Sequence, residues 1–207
     1  MSRYNFEHAI VDTGYNRSTW IDTDRPGNDC WGGVTVADYD GDGRPEFTVG
    51  SRRTRGRGFL RVCGYLPDVL NGTWSRRIVT DAFRPGVGAA AADWDGDGRP
   101  ELVAGAWNTE GLFHVIVAPA DPDFGESCLV TEDVENPHDV LAADIDGDGR
   151  EEVVAREKDG ALVVYDVPED PTDEWTGKTV DPQLDGDGTL VADLSTGDRP
   201  DIVTNCG

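Results

Sequence analysis

The sequence predicts an all-β protein, a β-propeller of four-stranded antiparallel blades with about four repeats, on three observations. Four segments align, at residues 34–38, 89–93, 140–144 and 189–193. Each ends on an Asp, and the Asp recurs about every 50 residues, the length of one four-stranded blade. Each Asp opens an acidic, Gly-rich stretch that leads into a second apolar run rich in β-branched residues. No segment has helical periodicity of ordinary length, and 26 Gly and 12 Pro punctuate the short apolar runs.

In chain order, residues 6–12 have the character of a blade's fourth strand. The first repeat then reads as strands at 34–38, 46–49, 58–62 and 74–79, the last opening on Trp74. The second reads as 89–93, 101–104, 112–116 and 127–130. The third reads as 140–144, 152–155, 161–165 and 175–180, opening its last strand on Trp175. The fourth shows only 189–193 and 201–204. Trp74, Trp175 and Trp94 are expected in the packing of the blades. Residues 1–207 thus form a single repeat domain. Strands of a meander alternate in direction, so the opening strand cannot pair antiparallel with the last one. The repeats then close imperfectly, belong to a larger propeller, or form a homo-oligomer in which another chain completes the ring. Incompleteness in some form is the favoured reading.

The charge balance is 41 Asp+Glu against 18 Lys+Arg, a net of −23. A nucleic-acid backbone would be repelled, so no nucleic-acid partner is expected. No apolar run is long enough to span a membrane, so no membrane partner is expected either. Residues 1–5 are polar and lack the apolar core of a signal peptide, which reads as cytoplasmic, or as secreted if a leader was removed. Lys158 and Lys178 are the only lysines. An acidic, lysine-poor composition fits adaptation to high salt, and equally a GC-rich genome. Cys30, Cys63, Cys128 and Cys206 form no C-x-x-C pair, which argues against zinc and leaves their disulfide status open.

The Asp stretches carry the sharpest chemistry. Residues 38–46, 93–101 and 144–152 each read D-x-D-G-D-G-x-x-E. Ca²⁺ takes six to eight hard oxygens, and alternate positions of such a loop supply them. The expected ligands are Asp38, Asp40, Asp42, the Arg44 carbonyl and Glu46 in the first loop. In the second they are Asp93, Asp95, Asp97, the Arg99 carbonyl and Glu101. In the third they are Asp144, Asp146, Asp148, the Arg150 carbonyl and Glu152. The paired glycines permit the tight turn that aims these oxygens inward. Without a cation the four carboxylates of each loop would repel one another. Plain solvated Asp-Gly turns are the alternative, but they do not explain one nine-residue spacing three times. The fourth copy, 193–201, is degenerate: Ser195 replaces the second Asp and Gly197 the third. Residues 185–188 read as a turn ahead of the next strand.

These loops and their flanking strands resemble the FG-GAP/VCBS repeat family, known from integrin α-subunit propellers and many microbial proteins. The resemblance spans nearly the whole chain. It implies calcium loops on one face and ligand binding on the opposite face. That opposite face would collect Arg52, Arg53, Arg55 and Arg57, Trp107 with Asn108, Lys158, and then Trp31, Arg84 and His138. Arginine forks pair with carboxylate or sulfate, and exposed Trp stacks on sugars. A solvated Arg loop paired with nearby acids is the competing reading. The expectation is a calcium-binding recognition module for a carbohydrate, such as an anionic polysaccharide, or for a protein. The alternative is a lyase or dehydratase acting on uronate- or ketosugar-type substrates, since some rhamnogalacturonan and ulvan lyases and aldos-2-ulose dehydratases look similar. His138 would then be the base and Arg52 or Arg53 the enolate partner. No nucleophile elbow, H-E-x-x-H or phosphate loop is present.

Overall fold

The computed structural model describes residues 30–52, 60–63, 76–80, 83, 85–106, 110–116, 126–158, 160–184, 188–197 and 199–205. Among these residues the fold is all-β, with fourteen strands and no helix. The first sheet contains β1 (Cys30–Ala37), β2 (Glu46–Arg52), β3 (Leu60–Cys63) and β4 (Arg76–Thr80). The second contains β5 (Pro85–Ala92), β6 (Glu101–Ala106), β7 (Glu110–Ile116) and β8 (Glu126–Glu135). The third contains β9 (Pro137–Ala143), β10 (Glu152–Glu157), β11 (Leu162–Asp166) and β12 (Thr176–Asp181). A two-stranded sheet, β13 (Thr189–Ala192) and β14 (Asp201–Thr204), follows. Each sheet is an antiparallel meander in chain order.

The expected strand order stands, with shifted ends. Each first strand stops one residue before its Asp. Trp31 and Arg52, expected in loops, lie in β1 and β2, because the β1–β2 ladder continues to the pairs Trp31–Ser51 and Cys30–Arg52. A register break between Gly32 and Thr35 lets the strand carry on. His138 likewise lies in β9, whose pairing to β10 begins at Pro137 and Glu157. Residues 6–12, Trp74 and residues 185–187 lie outside the described residues.

The sheets pack through their first strands: β1 against β5, β5 against β9, and β9 against β13. That packing needs small residues. A Cβ on Gly88 of β5 would stand 2.5 Å from the Val140 backbone nitrogen of β9. Between the first and second sheets, Tyr39, Val79, Phe83, Leu102, Ala104 and Ala106 form one cluster. Phe83 stacks on Phe113 with ring centroids 4.2 Å apart. Between the second and third, Ala90, Trp94, Val103, Leu112, Val153, Val163, Tyr165 and Trp175 belong to another. Trp94 and Trp175 fill this interface as the sequence implied. Trp175 sits just ahead of β12; its backbone N–H donates to Val130 O at 2.7 Å and its indole N–H to Pro171 O at 2.9 Å. The second sheet is thus a layer covered on both faces, which explains six consecutive buried residues in β6.

Replacing Gly88 with Ala should lower the melting temperature sharply, because a backbone contact of 2.5 Å cannot be relieved by a rotamer change. An unchanged thermal transition would refute the close β5–β9 approach. Burial also pushes the Tyr165 phenol up to about 12, with Thr131 opposing the rise and the charges of Asp133 and Glu157 adding to it. Ionisation then favours the unfolded chain, whose tyrosines titrate near 10, so this stability is intact below that pH and lost on the way to 12. The loss is at most about 2–3 kcal/mol. Urea titrations at neutral and alkaline pH should show it, and Tyr165→Phe should lose less. Equal losses would contradict the assignment.

Candidate metal centres

The three intact loops connect the first and second strands of the three complete sheets. Their conformation follows from two glycines in the left-handed region, for example Gly41 at φ 72° and Gly43 at φ 84°. The second and third loops repeat this at Gly96 and Gly98, and at Gly147 and Gly149. Backbone N–H groups then fall onto the acidic side chains in a repeated pattern. In the first loop Gly43 N–H donates to Asp38 Oδ2 at 2.8 Å and Arg44 N–H to Asp42 Oδ1 at 2.9 Å. The equivalents are Gly98 to Asp93 and Arg99 to Asp97, then Gly149 to Asp144 and Arg150 to Asp148.

The Glu of each loop is also the first residue of the following strand and is buried. Glu46 Oε2 accepts the Tyr39 N–H at 2.9 Å. Glu101 Oε2 accepts from Trp94 at 2.9 Å, and Glu152 Oε2 from Ile145 at 2.6 Å. The side chain thereby ties the end of the loop to its second residue. Carboxylate oxygens of Asp38, Asp40, Asp42 and Glu46 lie within 4.8 Å of one another. So do those of Asp93, Asp95, Asp97 and Glu101. In the third loop Asp144, Asp146 and Glu152 converge, while Asp148 is not part of that group.

These three clusters could hold a metal ion. All their side-chain donors are hard oxygens, which suits Ca²⁺ or Mg²⁺ and not a thiophilic metal. Burial pushes Glu46 above the ordinary carboxylate range, against the Tyr39 hydrogen bond, and the charges of Asp40, Asp38 and Asp42 add to the rise. Glu152 is raised the same way, by burial first and by Asp146 and Asp148 in addition, against the N–H bonds of Ile145 and Asp146. A cation among these groups would offset that repulsion. In the second loop Arg99 forms an ion pair with Asp97 at 2.6 Å, so that carboxylate is already partly engaged.

The degenerate fourth loop keeps one part of this plan. Asp201 Oδ2 accepts the N–H groups of Leu194 and Ser195 at 3.1 and 2.8 Å. Among the described residues it forms no cluster of converging acids.

The residues expected on the opposite face are only partly visible. Arg53, Arg55, Arg57, Arg84 and Trp107 lie outside the described residues, as do the side chains of Trp31 and Arg52. His138 is half-buried, and its Nδ1 lies 3.3 Å from Asp139 Oδ1. Asp139 in turn accepts from Arg156 Nε at 2.9 Å. Burial alone would raise Asp139, but that bond and the charges of Arg156 and His138 outweigh it and hold its carboxyl low. The sequence reading did not name Asp139 or Arg156. A buried Arg156 where β2 and β6 carry Gly50 and Gly105 was the available signal.

His114 was also missed. It is buried against Trp94 and Trp175, with Nε2 3.9 Å from Glu101 Oε2. Cys128 is a free thiol near Thr172 O, and burial, with the charge of Asp170, raises its pKa. The side chains of Cys30, Cys63 and Cys206 lie outside the described ones. No known family model matches the chain, and no curated protein matches it.

Proposed function

We propose that the chain is a calcium-stabilised β-propeller recognition module of the FG-GAP/VCBS type, with Ca²⁺ held in three loops. The observation that carries this reading is the repeated convergence of carboxylates at one place in three successive sheets. Ligands are Asp38, Asp40, Asp42 and Glu46, then Asp93, Asp95, Asp97 and Glu101, then Asp144, Asp146 and Glu152 with Asp148. The Arg44, Arg99 and Arg150 carbonyls complete the sets. The consecutive meanders packed through their first strands support the propeller. Bound calcium stiffens each hairpin, and the recognised partner is an anionic carbohydrate or a protein met by the opposite face.

Calcium titration should give three ions per chain for the wild type and two for Glu101→Gln. EDTA should lower the melting temperature and added Ca²⁺ restore it, each site adding about 3 kcal/mol of stability at a hundredfold excess over its Kd. No bound metal by elemental analysis, together with no EDTA effect, would defeat the proposal.

The pair His138 and Asp139 favours a second reading, a lyase. There the imidazole takes the proton α to a uronate carboxylate, the electron pair left on carbon forms the carbon–carbon double bond, and the β-carbon–oxygen bond breaks with the leaving oxygen taking up a proton from water. An ultraviolet assay for the unsaturated product on uronate polymers separates the readings. Steady product with the wild type and none with His138→Ala selects the lyase, and flat traces on a broad polymer panel remove it.

A further inference from the structure

The contact between successive sheets uses the same positions each time. Ala90, Val103 and Trp94 of the second sheet are 6%, 0% and 5% exposed, packed in the cluster shared with the third. Thr48 and Tyr39 hold two of the same positions in the first sheet and are equally covered. On β13–β14 these positions are Leu190, Val203 and Leu194. Leu190 pairs directly with Val203, so the two share a face. They are 55%, 37% and 68% exposed.

The other end of the array shows the complementary surface. Ala89 and Ala91 of β5 pack toward the first sheet, and Val140 and Ala142 of β9 toward the second. The equivalent residues of β1 are Val34 and Val36, 62% and 66% exposed. The two exposed faces therefore occupy the positions that meet in the chain's own contacts between sheets. Larger side chains stand at the exposed β1 positions than the alanines of β5.

We infer that the β13–β14 face takes the β1 face of a second copy of this chain, head to tail. Two copies then meet through two equal contacts and close on themselves. At two of the three junctions between acidic loops, though not between the second and third, an arginine lies against the preceding loop. The Arg99 side chain lies 3.5 Å from the Cβ position of Gly41 in the preceding loop, and Arg199 3.9 Å from that of Gly147. Two copies supply eight sheets, within the range of about four to eight blades that propellers use. The closure rests on the propeller proposed above; the contact does not. A net charge of −23 on each copy opposes association, so salt should strengthen it.

Analytical ultracentrifugation in saturating Ca²⁺ tests the inference. The wild type should sediment at twice the 22.4 kDa chain mass, more completely at higher salt. Leu190→Asp with Leu194→Asp should give monomers, and so should Val34→Asp with Val36→Asp. These side chains are exposed, so far-ultraviolet circular dichroism should not change. Mixing the two variants should restore a pair, because one intact contact remains. A wild type that stays monomeric at all concentrations overturns the inference. So does a β1 variant that still dimerises alone, since that contact would be between two β13–β14 faces. A pair that responds to both variants but shows no closed ring in axial electron-microscope views overturns the closure, and the propeller reading with it.

Discussion

The buried carboxylate that ends each acidic loop is the interaction on which the rest depends. Glu46, Glu101 and Glu152 each begin a strand, accept an N–H from the loop's second residue, and present a carboxylate to the acidic cluster. One side chain thus sets the hairpin's register, shapes the loop and supplies a candidate ligand. Burying an ionised carboxylate is costly unless it is bonded or compensated. The backbone bond meets part of that cost, and a cation would meet more. The fourth loop shows how far the backbone part persists alone. Asp201 keeps both N–H contacts although the ligand pattern around it has decayed.

The same loop residue that donates to the carboxylate also links neighbouring sheets. Tyr39 lies between the first and second sheets, where its hydroxyl meets Thr35. Trp94 lies between the second and third, and its indole donates to Glu151 O in the next loop at 2.9 Å. A cation that orders one loop therefore also orders a wedge between layers. The clusters couple to packing through one covalent step, from the bonded N–H to the buried aromatic ring of the same residue. A cation held there would act on the packing between sheets, and His138 lies at the opposite end of β9 from the third loop.

Most of the strand order was legible, because the Asp-loop spacing and the alternation of apolar runs are local properties of the chain. The ends of the strands were less so. The resemblance to the repeat family places Trp31, Arg52 and His138 in the loops of one face. Cross-strand pairing carried each into a strand, and a bulge after Gly32 absorbed the irregularity. In the metal loops the ligand types and spacing were written in the sequence. The departure of Asp148 from the third cluster was not, because it depends on side-chain direction.

By itself the sequence determined the all-β class, the repeat, the loop positions and the degeneracy of the last copy. Each is fixed by residue type at short range: glycine for positive φ, Asp for the N–H bonds, alternation for strands. Only the tertiary structure decided which faces are covered. Gly88 looks like any other glycine until β9 lies against it. Arg156 looks like a surface cation until Asp139 of the paired strand and the neighbouring layer enclose it. Leu190 and Val203 look like core residues until the structure leaves their face exposed. Burial is a property of what packs against a residue, and that partner lies some 50 residues away in the sequence.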